Sequence, residues 1–274
     1  MSRFSVVTAA ANVLEKLNQQ QQGVSVVIPI KNEVNNIEPL WQEILQTFAT
    51  LRHWEAIFIN DGSTDASLTV LERLKSQHPE HLRILHHAQS RGQSTALFVG
   101  VQRAKFNWIA TLDGDGQNAP QDLPTLLARA LSTHHDLPLL VIGHRTKRRD
   151  QWSTRLSSRV ANAVRQRLLQ DDTPDTGCGI KVFQAKDFLQ LPYFDHMHRF
   201  LPALFKRLQG QVVSVPVHHR PRHSGRSNYG IHNRLWVGMV DILGVIWLLQ
   251  RNRLGPVSEI HAQVQPTLNE EVKV

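Results

Sequence analysis

Two aspartates one residue apart, Asp113 and Asp115, stand between an apolar run that ends at Leu112 and the small, flexible Gly114 and Gly116. Carboxylate oxygens are hard ligands that suit Mg²⁺ or Mn²⁺, and a cation held there would bridge a diphosphate and neutralise charge building on a leaving group. Gln117 adds a neutral oxygen beside them. The same letters also spell an ordinary strand-end turn, where Asp and Gly are favoured for backbone reasons. A second group, Asn60-Asp61-Gly62-Ser63, has a similar double meaning. It reads as turn and helix N-cap, or as a carboxylate accepting hydrogen bonds from a base or ribose.

Each group follows a short apolar run and precedes a helical pattern. Strands are expected at Ser25–Ile30, Ala56–Ile59, Leu82–Leu85, Trp108–Leu112, Leu139–Ile142 and Val212–Val217. Helices are expected near Ile37–Leu51, Ala66–Gln77, Ser94–Lys105, Trp152–Leu169, Asp187–Leu191 and Phe200–Leu208. Strand and helix alternate as in βαβ units, which predicts an α/β fold with a mostly parallel central sheet flanked by helices. In an open parallel sheet ligands bind beyond the carboxyl ends of the strands. Lys31-Asn32-Glu33, Asn60–Asp65 and Asp113–Gln117 then share one edge, and their co-occurrence favours chemistry over three unrelated turns.

Six ordered blocks carry a family resemblance: VIPIKNE at 27–33, NDGSTD at 60–65, RGQSTA at 91–96, DGDGQ at 113–117, DTGCGIK at 175–181 and GRSNY at 225–229. From 24 to 247 the chain resembles the family 2 glycosyltransferases of GT-A fold, within them the polyprenyl-phosphate, dolichol-phosphate mannose synthase-like branch. The resemblance implies that Pro29, Glu33 and Asp61 line the nucleoside pocket, that Arg91, Gly92 and Gly114 belong to the nucleotide-sugar site, and that Asp113, Asp115 and Gln117 hold the metal. Asp175 resembles the acid placed near the transferred sugar or acceptor, Arg145 and Arg159 the pair gripping an acceptor phosphate, and Arg226 with Ser227 the basic loop over the phosphates. Guanidinium forks and backbone N–H groups in Gly-rich loops are what phosphates prefer. The chain departs from the pattern at Asn60, which replaces an aspartate, and at Asn228, which replaces a lysine; Arg226 or Arg222 is placed to stand in for the latter.

The implied activity is inverting transfer of a hexose or hexosamine from a UDP- or GDP-sugar to a polyprenyl phosphate. A lipid phosphate is already anionic, so positioning, metal and arginines suffice. A saccharide hydroxyl, as in lipopolysaccharide or capsule assembly, is the competing acceptor and would make Asp175 the general base. A reading from another class is a non-catalytic nucleotide- or nucleic-acid-binding protein.

The 274 residues suit one large domain with appendages. The expected divisions are an N-terminal appendage over 1–22 including a weak helix at Ser5–Leu17, the catalytic domain over 23–230, an amphipathic helix over 231–254 and a flexible tail over 255–274. A net charge of +8 suits a phosphate-bearing partner. Aromatic residues for base stacking are scarce among the basic runs, with only Trp152 and Tyr229 nearby, and no recognised nucleic-acid module is present, so nucleic acid is not the expected partner. One cysteine, Cys178, excludes an internal disulfide and reads as a small buried residue; with no secretory signal the expected place is the cytoplasm, peripheral on the inner face of the cell membrane. Leu235–Leu249 falls short of the ~18 apolar residues of a spanning helix and contains Asp241. It reads equally as an interfacial helix or as one buried against the domain or a twin subunit, giving a possible homo-oligomer. Of the fifteen histidines, the adjacent pairs His86-His87, His134-His135 and His218-His219, and His196 with His198, lack the i, i+4 spacing of a helical zinc site.

Overall fold

The computed structural model describes residues 12–133, 137–145, 173–218, 220 and 231–251, with the side chains of 231–239 excepted. Strands β1 (Val24–Ile30), β2 (Trp54–Asp61), β3 (Leu82–His87), β4 (Trp108–Thr111), β5 (Leu139–Arg145), β6 (Lys181–Gln184) and β7 (Gln211–Val217) form a seven-stranded sheet in the order β3-β2-β1-β4-β6-β5-β7. The first helix, α1, occupies 12–19. It is followed by α2 (Val34–Thr47), α3 (Ser67–Gln77), α4 (Gln93–Gln102), α5 (Leu123–Ser132), α6 (Ala185–Phe188), α7 (Leu201–Arg207) and α8 (Ile231–Gln250).

Period-two alternation explains how the central strands serve two cores. Val24, Val26, Ile28 and Ile30 of β1, with Trp54, Ala56 and Phe58 of β2, pack on one face with α1, α2, α3 and α5. Val27, Ile57 and Ile59 point to the other face, where α4, α6 and α7 cover them. Strands hydrophobic on both faces belong in a parallel sheet covered on both sides, and β1 pairs in parallel with β2 and β4. The carboxyl ends of β1, β2 and β4 therefore open on one edge, as the sequence predicts.

Three features differ from expectation. Strand β6 runs antiparallel to both β4 and β5; at four residues it is too short to display a period, and it follows directly on the DTGCGIK turn. Helix α5 occupies a stretch, Leu123–Ser132, for which no element is expected above. The part of the expected appendage that is described belongs to the domain: Val13, Leu14 and Leu17 sit in the main core, Asn18 accepts a hydrogen bond from the Arg52 N–H, and the Trp108 indole donates to Gln22. Three apolar residues on one helical face are enough to dock it. The expected helix at Trp152–Leu169 and the tail over 255–274 lie outside the described residues.

Candidate active site

The loops after β1, β2 and β3 are knitted together by polar side chains. The Asn32 N–H donates to Ser63 Oγ at 3.0 Å, the Thr64 N–H to Asn32 Oδ1 at 2.8 Å, and the Glu33 N–H to Ser67 Oγ at 3.0 Å. Glu33 sits at the N-terminus of α2 and accepts from the Asn36 side chain. Pro29, the penultimate residue of β1, lies beside Gly114, whose missing Cβ would stand 2.8 Å from the Pro29 carbonyl.

Asp61 is the hub of the β3 loop. Its carboxylate accepts from the Arg91 N–H (2.8 Å), the Gly92 N–H (2.9 Å), Ser90 Oγ (2.7 Å) and the His87 ring (2.8 Å). Burial pushes its carboxyl up, but the Arg91, His87, Ser90 and Gly92 hydrogen bonds together outweigh that and hold it below the ordinary carboxylate range. Asp61 thus shapes the Arg91–Gly92 loop with the oxygens expected to face a nucleoside. Asn60, fully buried, holds His86 at 3.1 Å and accepts from the Ser63 N–H, so its turn geometry needs no charge.

Beyond β4 the chain turns through Asp113 and Asp115. Asp113 accepts from Gln93 Nε2 at 2.9 Å and Asn118 Nδ2 at 3.3 Å, while the Gln117 N–H donates to Asp115 at 3.1 Å. Burial, then the neighbouring Asp115 carboxylate, push Asp113 above its ordinary range; Lys181, Asn118 and Arg145 oppose the shift. Two hard-oxygen groups crowded in a half-buried loop are of the kind that would suit a divalent cation, whose charge would relieve that repulsion. Between this loop and α2 lies a cleft of about 320 Å³ lined by Asn36, Glu43, Gly116 and Asn118 among others. A cleft of about 410 Å³ at the amino edge of the sheet, beside Gln22 and Trp108, contains none of the expected site residues.

On the other side of Asp113 the 175–181 loop brings a second charged group. Arg145, at the end of β5, donates from Nε to Asp175 Oδ2 at 2.6 Å and from Nη2 to Oδ1 at 2.7 Å. Burial pulls the guanidinium down, but Asp175 outweighs it and raises Arg145 above its ordinary value. Lys181, buried at the start of β6, donates to the Cys178 carbonyl; burial lowers its pKa, opposed by Asp113 and Asp175 among its neighbours. Gly179 makes the close approach possible, since a Cβ there would fall 2.1 Å from Asp113 Oδ2. Cys178 is buried, and burial pushes its thiol up to about 11.

The strand β7 leads back to the same loop. Gln117 and Arg220 exchange hydrogen bonds, the Arg220 N–H donating to the Gln117 carbonyl at 3.1 Å and Gln117 Nε2 to the Arg220 carbonyl at 3.5 Å. Arg220 also forks onto Glu43 and reaches Gln121, while His218 is held on Asp122 at 2.7 Å. Arg159, Arg226 and Ser227 lie outside the described residues. The structure thus gathers Pro29, Glu33, Asp61, Arg91, Gly92, Asp113, Gly114, Asp115, Gln117, Arg145 and Asp175 on one edge of the sheet.

Three residues to which the motifs assign no role also belong there: Gln93 and Asn118, which hold Asp113, and Lys181. Gln93 and Lys181 fall inside the quoted blocks and Asn118 directly follows one, but the partner of each is remote in sequence.

The chain matches the family model described as Glycosyl transferase family 2 over residues 25–191. It is 32% identical over 235 residues to the dodecaprenyl-phosphate galacturonate synthase of Rhizobium johnstonii, covering 84% of this chain and 68% of that protein. It is 28% identical over 212 residues to the undecaprenyl-phosphate 4-deoxy-4-formamido-L-arabinose transferase of Edwardsiella ictaluri, covering 77% of this chain and 64% of the relative. Among solved structures, the glucosyl-3-phosphoglycerate synthase of Mycobacterium tuberculosis with Mg²⁺ and uridine diphosphate superposes with a TM-score of 0.64 at 18% identity, covering 90% of this chain and 84% of that one. At that identity the likeness speaks for the fold.

Proposed function

This chain belongs to glycosyl transferase family 2, and we propose that it moves a sugar from a UDP- or GDP-sugar to the phosphate of a polyprenyl lipid with inversion at the anomeric carbon. The polyprenyl-phosphate chemistry in the names of both relatives supports the acceptor, and the paired carboxylates of Asp113 and Asp115 beyond β4 support the metal. Asp113 and Asp115, with Gln117, would hold a Mg²⁺ or Mn²⁺ ion, which when bound supplies positive charge to the departing diphosphate.

The rest of the work falls to this chain's own groups. The Arg91–Gly92 loop, set by Asp61, and Glu33 bind and orient the nucleoside end. Arg145 presents its guanidinium toward the edge where the acceptor phosphate enters, with Arg159 and the Arg226–Ser227 loop as further phosphate contacts. An acceptor phosphate oxygen attacks the anomeric carbon as the bond to the diphosphate breaks, and no proton changes hands.

The observation that carries this reading is the Arg145–Asp175 fork. An acceptor hydroxyl would ask Asp175 to take a proton, yet its two oxygens accept from the guanidinium and it is 6% exposed. Such a carboxylate is a poor base and a good orienter. Because the acceptor is lipid-borne, the enzyme works as a peripheral protein at the inner face of the cell membrane. Among the described residues no helix is long and apolar enough to cross a bilayer.

Thermal stabilisation by UDP, GDP, CDP and ADP, each with and without Mn²⁺, tests the donor half, because a ligand of the native state raises apparent stability by mass action. A Mn²⁺-dependent shift with UDP or GDP is expected, followed by transfer of its sugars to polyprenyl phosphate. No shift with any diphosphate, or transfer to a saccharide hydroxyl in preference to the lipid phosphate, would overturn the assignment.

A further inference from the structure

Helix α8 lies with one face on the domain and the other open. Val245 is fully buried, and Ile242, Ile246 and Leu249 pack against the second core. Asp241, the one acidic residue of the helix, is turned toward His196, with 2.9 Å from its Oδ2 to the ring Nδ1. On the other face Val240 (66%), Leu243 (67%) and Trp247 (57%) are exposed at spacings of three and four, a continuous stripe, and a side chain added at Gly244 would meet nothing within 4 Å. Arg251 stands over the Trp247 ring at 5.6 Å.

We propose that this stripe docks on an anionic lipid surface, an inference that rests on the lipid-phosphate acceptor proposed above. The chemistry around the stripe favours a bilayer over a second copy of the chain. Segment 231–254 contains Arg234, Arg251 and Arg253 against Asp241 alone, and an apolar face edged by tryptophan and arginine is the pattern of a helix lying at the headgroup level.

The helix is also tied to the site. His196 belongs to the turn that carries His198, and His198 Nδ1 meets Ser94 Oγ at 2.7 Å at the start of α4, next to Gln93, which holds Asp113. A membrane bound along the stripe is thereby fixed to the element that positions the metal-site carboxylate.

The test uses the full chain without donor, sedimented with vesicles of phosphatidylcholine or of phosphatidylcholine with phosphatidylglycerol. Binding to the anionic vesicles is expected to exceed binding to the neutral ones and to weaken with salt, and Leu243→Glu/Trp247→Glu should weaken it by at least about tenfold. The single variants Leu243→Glu and Trp247→Glu should each show part of the loss, so the result does not depend on the double variant folding. Failure of the wild type to bind anionic vesicles, or equal binding by wild type and variants, would overturn the proposal. So would a dimer that the variants split while vesicle binding stays unchanged. Transfer to detergent-dispersed polyprenyl phosphate separates the two readings: vesicle binding without transfer sinks the reaction and keeps the surface, whereas transfer with variant-insensitive binding sinks the surface alone.

Discussion

Arg145 and Asp175 meet as a planar fork, with parallel hydrogen bonds of 2.6 and 2.7 Å, where β5 ends and the 175–181 loop begins. Asp175 is 6% exposed and the Arg145 side chain 16%, so each is the main counter-charge of a group taken largely out of water. Removing one partner of such a pair strands the other, and Asp175→Ala should lower stability by roughly 3–5 kcal/mol. Arg145→Met/Asp175→Ala should recover part of that loss. Urea denaturation of the four species gives the coupling directly, and additive losses would mean that the pair does not act as a unit.

Gly179 packs its α-carbon against Asp113, and no side chain fits between them. Gly179→Ala would put a methyl where Asp113 Oδ2 now lies, forcing the carboxylate away from Gln93 and Asn118. Turnover should fall by at least about 100-fold, because displacements of about 1 Å at a reacting centre cost that much. The Mn²⁺-dependent part of the nucleotide-induced thermal shift should fall with it. Retention of both would place the metal elsewhere than Asp113.

Much of this arrangement was legible in the sequence. The double-faced apolar runs of β1 and β2 specify a buried parallel sheet, and the strand-to-motif junctions put three polar clusters on one edge, where they are found. The family read from six blocks is the family to which the chain belongs. What local patterns could not reveal are relations across the fold. β6 runs antiparallel to β4 and β5, and a run of four residues records no direction. The pairing of Arg145 with Asp175 spans 30 residues and that of Ser94 with His198 spans 104. Several histidines prove to be partners of carboxylates: His87 of Asp61, His196 of Asp241 and His218 of Asp122.

Asp61 organises Ser90, Arg91 and Gly92 with charge-assisted hydrogen bonds, so neutralising it should loosen the loop while keeping its shape nearly isosteric. Asp61→Asn is expected to raise the KM for the nucleotide-sugar by about tenfold or more with a smaller effect on kcat, since a lost charged hydrogen bond is worth about 1.5–3 kcal/mol. Initial rates across a donor titration decide the matter. A fall in kcat with unchanged KM would move Asp61 from donor positioning to the chemical step.

His198 is half-buried and lines the same small cavity as Asp113, with Ser94 Oγ on its Nδ1. Burial first, then the nearby charges of Lys181, Arg199 and His196, push its pKa down to about 3 from an ordinary 6.5. Between those values the unfolded chain binds a proton that the folded chain refuses, so this contribution to stability rises with pH through the window and is complete above its upper end. Lowering the pH from 7 to 5 should therefore cost roughly 2 kcal/mol through His198 alone. Asp113, whose pKa is raised, acts in the opposite sense above pH 3.8, and the comparison must cancel it. His198→Gln has no proton to gain, so its loss of stability between pH 7 and 5, followed by urea unfolding, should be smaller than that of the wild type by about the same 2 kcal/mol. Equal losses in the two proteins would show that the histidine accepts a proton in the folded state.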